Sequence, residues 1–336
     1  MFFIFTILKS LRSIDVGTDT ELYKRMFNEI GTRPSLFFGE GAMDEISAPV
    51  YITIARLSYA LSSHFNVFMF VTSVIITYGL IAFIKKTSYD YCLSIFCWSG
   101  LIFFITSMNL NRQFLAVTLM INAIVYFSKS LLSLKGWALA GIALSIHGTG
   151  ILALSALGGI VLSKKIKNDK ILFAIAVVAG TAVSVLYRFA ISVFAMIFPR
   201  FEMYLDSSFE FYIFGEIGGG RIIFLYLLLF AICTLWILSS KSEDDDIYDF
   251  NRKILPIATF GTVFGIFNAD MILMNRVIIY LTVFHISLIP AVVNKYKGVV
   301  RYAIYFGIII ALMLYYYIAL RDNHSGVIPY NFFWQV

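Results

Sequence analysis

The chain has 336 residues, is 60% hydrophobic and 17% aromatic, and only 14% of its residues are charged. An average soluble chain carries about a quarter charged residues, and the apolar residues here come in runs of roughly 17 to 25, the length that crosses a bilayer. That excludes a soluble enzyme and identifies an all-α polytopic integral membrane protein. The formal charge of +6 comes mostly from loop lysines, so it reports orientation in a lipid bilayer and not binding to nucleic acid. Cys92, Cys97 and Cys233 lie inside apolar runs without CxxC spacing, which implies neither a disulfide framework nor a metal cluster.

Met1–Leu8 is apolar but too short to span or to form the apolar core of a leader, and reads as the stub of a first span. Residues 9–48 form an expected external loop with one short amphipathic helix around 19–30. Residues 49–63 mix Arg56 and serines with apolar residues, the pattern of an interfacial or shallow re-entrant helix. Spans are expected at 66–84, 91–107 and 110–128. The stretch 130–164 is flanked by Lys129 and Lys135 on one side and by Lys164, Lys165 and Lys167 on the other. A break at His147-Gly148-Thr149-Gly150 makes it a helical hairpin with both lysine clusters on one face of the membrane, and glycine permits the turn. Further spans fall near 171–198, 222–239, 254–269, 275–293 and 300–320. That makes about ten transmembrane helices in a single domain of 1–336, with the 199–221 loop external and the 241–253 loop cytoplasmic.

With Lys85 and Lys86 in the cytoplasm, alternation from residue 85 onward gives that side twelve lysines together with Arg252 and Arg301. The opposite side receives Arg112, Arg188, Arg200, Arg221, Arg276 and Arg321 and no lysine. Fourteen cations against six satisfy the positive-inside rule. The division by residue type says more. Lysine is a hydrated point charge, whereas arginine offers a rigid fork matched to phosphate and carboxylate, so the external face suits an anion.

Three of those arginines share one context. Asn109-Leu110-Asn111-Arg112-Gln113 opens the 110–128 helix, Gly218-Gly219-Gly220-Arg221 opens the 222–239 helix, and Asn275-Arg276 opens the 275–293 helix. Each helix is expected to start at the external face, where open N–H groups and the positive dipole end favour an anion and a guanidinium adds bidentate donors. The same residues also serve as ordinary caps and headgroup anchors. His147, at the tip of the hairpin, is either a donor to phosphate, a base toward a hydroxyl, or a histidine hydrogen-bonded at a helix break. His64 and His285 read as core or interface residues. Asn268 and Asp270 are candidate partners for Arg276, and Glu202, Asp206, Glu210 and Glu216 lie in the external 199–221 loop. The run Glu243-Asp244-Asp245-Asp246 looks like a metal-binding motif of a nucleotide-sugar enzyme but reads as a solvated charge run in a short cytoplasmic loop. There is no phosphate-binding glycine loop, dinucleotide fingerprint or zinc spacing.

The pattern Arg12-Ser13-Ile14-Asp15-Val16-Gly17-Thr18-Asp19 with Tyr23 and Phe27 resembles bacterial polysaccharide polymerases of the Wzy/EpsG type. So do Asn111-Arg112-Gln113-Phe114-Leu115-Ala116, the Ser145-to-Gly150 stretch, Arg276 with Tyr280, and the tail Ile328-Pro329-Tyr330. The resemblance covers nearly the whole chain. It implies a fold like that of the lipid-linked (GT-C-like) glycosyltransferases, a full first span, and residence in the bacterial inner membrane. The implied reaction is periplasmic transfer of a growing O-antigen-type glycan from undecaprenyl pyrophosphate to the terminal hydroxyl of a lipid-linked repeat. Arg112, Arg276 and His147 are the implied catalytic residues. The helix starts and the resemblance together make Arg221, Asn109, Asn111, Gln113, Asp270 and Asp19 the expected binding residues for pyrophosphate and glycan. No cofactor or metal is implied, and a chain-length regulator is the implied protein partner. An O-antigen ligase acting on lipid A–core, and a flippase or transporter of lipid-linked oligosaccharide, remain the alternatives.

Overall fold

The computed structural model describes residues 2–32, 48–197, 219–239, 245–269 and 272–335. The described residues are nearly all helical and form two compact units. The first comprises Met1–Thr87, Tyr91–Leu154 and Leu312–Val336; the second comprises Ser88–Asp90 and Ser155–Ala311.

The first unit opens with α1 (Phe2–Ser10), α2 (Thr20–Thr32), α3 (Pro49–Leu61) and α4 (Phe65–Thr87). It continues through α5 (Tyr91–Gly100), α6 (Phe103–Asn109), α7 (Asn111–Lys129) and α8 (Leu134–Ile146). The expected amphipathic helix of the first loop is α2, and the expected short helix before the first long span is α3. Pro49 starts α3, where a missing N–H costs nothing. The apolar faces of α2 and α3 meet α4 through aromatic rings. Phe27 stacks on Phe68 at 5.3 Å, and Tyr51 sets its edge to Phe68 at 5.6 Å. Aromatic side chains carry the largest apolar area of any residue, which fixes these short helices against the long one. Asn122 of α7 donates to the Gly79 carbonyl of α4 at 2.7 Å, and Gly136 of α8 lies against the Phe127 ring of α7.

The second unit holds α9 (Ser155–Lys165), α10 (Asp169–Ile197), α11 (Gly219–Leu238), α12 (Asp246–Phe267), α13 (Ile272–Thr282) and α14 (His285–Lys295). It also holds the start of α15 (Gly298–Arg321), whose turns from Leu312 onward belong to the first unit. Helix α12 is the hub, packed against α9, α10, α11, α13 and α14. Its Arg252 pairs with Asp169 at 2.8 Å and donates to the carbonyls of Ser163 and Ile166 at 2.9 and 2.8 Å, which caps the end of α9. Trp236 donates to Asp169 at 2.8 Å, and the Lys295 ammonium lies 4.3 Å from the Trp236 ring. Asp245 is not merely solvated. It caps α12 by accepting the Tyr248 N–H at 2.7 Å, and it also accepts the Tyr89 hydroxyl at 2.6 Å. Glu243 and Asp244 lie outside the described residues.

The helices expected from the apolar runs are present among the described residues, where four to six pass as spans by length and apolar character against the ten expected. Among the described residues four are long and apolar enough to cross a membrane: Phe65–Thr87, Asp169–Leu186, Gly220–Leu238 and Gly298–Arg321. Counting two bent pairs, α5 with α6 at 52° and α13 with α14 at 44°, gives up to six. The expected 91–107 span bends because Ile102 takes a left-handed φ of 59°, a conformation a β-branched residue rarely adopts. Helix α7 is 19 residues long but carries Asn111, Arg112, Gln113 and Asn122, which dilute its apolar character. The break expected at His147 is there. Helix α8 ends at Ile146, a 3₁₀ turn runs from Gly148 to Leu154, and α9 follows. Helix α8 packs on α7 in the first unit, and α9 packs on α12 in the second.

The topology is open to a direct test. Single cysteines at Gly148 and Asp322, both exposed, are expected to react with an impermeant thiol reagent added outside intact cells. Cysteines at Lys135 and Lys167, also exposed, should react only after permeabilisation. Outside labelling of Lys167→Cys would sink the hairpin.

Candidate functional site

The Asn109-to-Gln113 stretch sits on a broken helix. Helix α6 ends at Asn109, Leu110 leaves the helical conformation, and α7 starts at Asn111. The last carbonyls of a helix and the first N–H groups of the next have no intrahelical partners. The carbonyls here are met by two cations from the start of the chain. Lys9 donates to the carbonyl of Ser107 and, at 3.2 Å, to its hydroxyl. Arg12 donates to the Met108 carbonyl at 2.7 Å, to the Lys9 carbonyl at 2.6 Å, to the Val16 carbonyl at 3.1 Å and to the Thr20 hydroxyl at 3.3 Å. Both side chains are buried, and no carboxylate pairs with either among the described residues. The negative end of the α6 dipole takes the place of a counter-ion. Burial lowers the pKa of Lys9, with Arg12 adding to the effect. Burial also lowers that of Arg12 to about 10, which leaves it charged at neutral pH.

The loop that delivers Arg12 is held from both sides. Asn109 donates to the Thr18 hydroxyl at 2.9 Å and accepts the Asp19 N–H at 3.4 Å. Gly17, with φ of 95°, lies so close that a Cβ would meet the Asn109 oxygen at 2.8 Å. Only glycine suits both the conformation and the contact. On the other side the C-terminal segment returns: Gly17 N–H donates to Gly326 and Ser13 N–H to Asn331, both at 2.8 Å, and the Tyr330 hydroxyl donates to the Leu8 carbonyl.

Arg112 stands in the first turn of α7 and is half-buried, with its guanidinium 5.9 Å from the centre of the Tyr51 ring. It makes no hydrogen bond or ion pair with any described residue. Asn111 is fully buried and Gln113 nearly so. His147 caps α8, donating its backbone N–H to Ala143 at 2.9 Å, and is half-buried. Asp19, Asn109, Asn111, Arg112, Gln113 and His147 all lie in the first unit.

Arg221 and Arg276 belong to the second unit. Arg221 is in the first turn of α11, as expected. Arg276 is not at a helix start, because α13 begins at Ile272 and places it in the second turn. The two helices are joined near these arginines. Tyr226 of α11 donates to Asn275 of α13 at 2.9 Å, and Asn275 donates to the Ala269 carbonyl at 3.3 Å. Tyr226 comes this close because Gly265 of α12 leaves room for its ring. The Asn268 amide nitrogen donates to the Phe264 carbonyl and the Ser184 hydroxyl, at 2.7 and 3.3 Å, while its carbonyl oxygen has no hydrogen-bond partner among the described residues. Asp270 lies outside the described residues, as do Arg200, Glu202, Asp206, Glu210 and Glu216. His64 is exposed. His285 is a core residue, with Nδ1 2.9 Å from the Thr282 carbonyl and Nε2 3.5 Å from Cys233. A cavity of about 220 Å³ in this unit is lined by Asp169, Trp236 and Ser239. Trp236 is fifteen residues along α11 from Arg221, about 22 Å at 1.5 Å per residue, so that cavity is not the arginine site. No three His, Cys, Asp or Glu side chains are grouped to hold a metal among the described residues.

Four residues around the break escape a sequence reading of the site: Lys9, Arg12, Tyr51 and His324, whose Nε2 lies 3.4 Å from the Thr106 hydroxyl. Arg12 had a signal, because its motif is part of the family resemblance. The others had none, since their partners are backbone groups or residues distant in sequence.

No curated protein and no solved structure matches this chain. Among protein families, the EpsG family matches residues 1–332. That match spans nearly all 336 residues, and the apolar helices agree with it, so the chain belongs to the EpsG family and is a multi-pass membrane protein of polysaccharide-polymerase type.

Proposed function

We propose that this chain is an O-antigen-type polymerase of the bacterial inner membrane, acting at the periplasmic face. The donor is a growing glycan on undecaprenyl pyrophosphate and the acceptor is a lipid-linked repeat. The acceptor's terminal hydroxyl attacks the donor's anomeric carbon, the bond from that carbon to pyrophosphate oxygen breaks, and the electron pair leaves with the lipid pyrophosphate. The hydroxyl proton passes to His147 or to the departing phosphate. Pyrophosphate is already a competent leaving group, so the main demands are charge neutralisation and the orientation of two amphiphiles. Arg112 in the first unit and Arg221 with Arg276 in the second are the proposed pyrophosphate-binding residues. Asn109 and Asp19 shape the first of these sites, Gln113 and Asp270 add polar contacts, and a chain-length regulator is the proposed protein partner.

The observation that carries this reading is Arg112: a half-buried guanidinium at a helix N-terminus, uncommitted among the described residues. A charge on a membrane helix is costly unless it is met, so an arginine that has only the Tyr51 ring against it and no ion pair among the described residues fits an anionic ligand. The test is polymer formation by the purified chain from a synthetic polyprenyl-pyrophosphate-linked repeat, with no lipid A–core present. A ladder of multiples is expected. Transfer that occurs only when lipid A–core is added would make the protein a ligase, and no glycosyl transfer at all would leave the transporter reading.

The same assay separates the roles of His147. Alanine there is expected to reduce polymer strongly. Glutamine can donate a hydrogen bond but cannot take up a proton at neutral pH, so near-normal polymer from His147→Gln would exclude a general base. Near-normal polymer from His147→Ala would leave only a capping role.

A further inference from the structure

Three buried polar atoms have no hydrogen-bond partner among the described residues on Tyr51, whose ring lies under the Arg112 guanidinium, and on Asn111, the residue before Arg112 in the chain. Tyr51 is 2% exposed, and its hydroxyl has no hydrogen-bond partner among the described residues. Asn111 is 0% exposed, and neither its amide nitrogen nor its carbonyl oxygen has one. Tyr51 carries its ring beneath the Arg112 guanidinium, and Asn111 precedes Arg112 in the first turn of α7. Buried polar atoms are nearly always paired, because an unpaired one forfeits its hydration and gains nothing. With Tyr51 under the guanidinium and Asn111 in the first turn of α7, a ligand held by Arg112 and the helix N-terminus would supply the missing partners.

The chemistry of the groups says what that ligand carries. The guanidinium, the helix N–H groups and a phenol are donors, which suits a phosphate-class oxyanion. Burial raises the pKa of Tyr51, with Tyr23 adding to the shift and Arg112 opposing it, so the phenol keeps its proton. The carboxamide of Asn111 both donates and accepts, and its acceptor asks for a hydroxyl next to the oxyanion. Arg112 covers the Tyr51 ring, so a ligand that draws the guanidinium away uncovers the phenol.

We infer that Tyr51 and Asn111 are specificity-determining residues of the Arg112 site, Tyr51 binding a phosphate oxygen and Asn111 reading a hydroxyl of the sugar attached to it. The inference rests on the polymerase reading and adds the discrimination of a glycosyl pyrophosphate from a bare lipid phosphate.

The test measures binding to the full chain in phosphatidylcholine nanodiscs, with farnesyl pyrophosphate and with the same lipid carrying N-acetylglucosamine on its pyrophosphate. Wild type is expected to prefer the sugar-bearing probe. Tyr51→Phe should weaken both probes by about tenfold, the worth of a hydrogen bond to a charged group. Asn111→Leu should abolish the preference. Neither variant should lower the thermal midpoint, because each removes a buried polar group that the fold leaves unpaired. Unchanged binding in both variants, or a lowered midpoint in both, overturns the inference. Inorganic pyrophosphate competing as well as the lipid probes, or phosphatidylglycerol nanodiscs abolishing probe binding, overturns it too, by identifying the ligand as free phosphate or bulk headgroup. If binding is unchanged while the wild-type chain still makes polymer, the inference fails and the polymerase reading stands. If wild type makes no polymer, that reading fails regardless of the binding result.

Discussion

Replacing Arg112 by alanine is expected to abolish polymer formation, and replacing it by lysine to reduce it roughly tenfold, the equivalent of ~1.4 kcal/mol. The contrast between the two separates a binding role from an anchoring one. Lysine keeps the charge, the interfacial position and the orientation signal, but it offers one point charge where the guanidinium holds two oxygens at once. If Arg112 only anchors the start of α7 in the headgroups, lysine is nearly silent. If it holds a pyrophosphate, lysine fails. Arg276→Lys should behave in the same way, although Arg276 lies in the second turn of α13 and not at its start. Arg301→Lys is the control, since Arg301 is exposed and among the cations expected on the cytoplasmic side. The assay is polymer formation by purified protein at matched amounts. Full activity in both Arg112→Lys and Arg276→Lys would remove these residues from the proposed site.

The second large effect is on stability. Arg12→Met is expected to destabilise the first unit by at least ~3 kcal/mol, because it strips the Lys9 and Met108 carbonyls of their guanidinium donors and weakens the bonding at Val16 and Thr20. Each buried polar group left unpaired costs about 1–3 kcal/mol, and Arg12 is almost completely buried. Arg12→Lys should recover only part of the loss, since one ammonium cannot reach acceptors spread over Lys9, Val16 and Met108. Tyr330→Phe, which loses only the bond to the Leu8 carbonyl, should cost about 1 kcal/mol. Thermal midpoints of detergent-purified protein, with the monodisperse fraction recovered, provide the measurement. A Met variant as stable as wild type would show that the broken helix does not depend on its cationic cap.

The sequence by itself determined the helices and several of their interruptions. Apolar run length places α4, α10, α11 and α15, because a bilayer sets that length directly. The short α2 and α3 follow from amphipathic or mixed runs, and the end of α8 at His147 follows from the glycines beyond it. Only the tertiary structure decided how the break at Leu110 is stabilised, because Lys9 and Arg12 bind carbonyls. A carbonyl is present at every residue and leaves no trace in the sequence, so a buried cation that caps a helix end reads there as ordinary loop charge. The same holds for Tyr51, which reaches Arg112 from 61 positions away in the chain. Periodicity reports which face of a helix is buried, never against what. The bends within two of the apolar segments were likewise legible only in three dimensions. Whether two apolar segments continue or bend can turn on a single backbone angle, such as the left-handed φ of Ile102, which a β-branched residue rarely adopts.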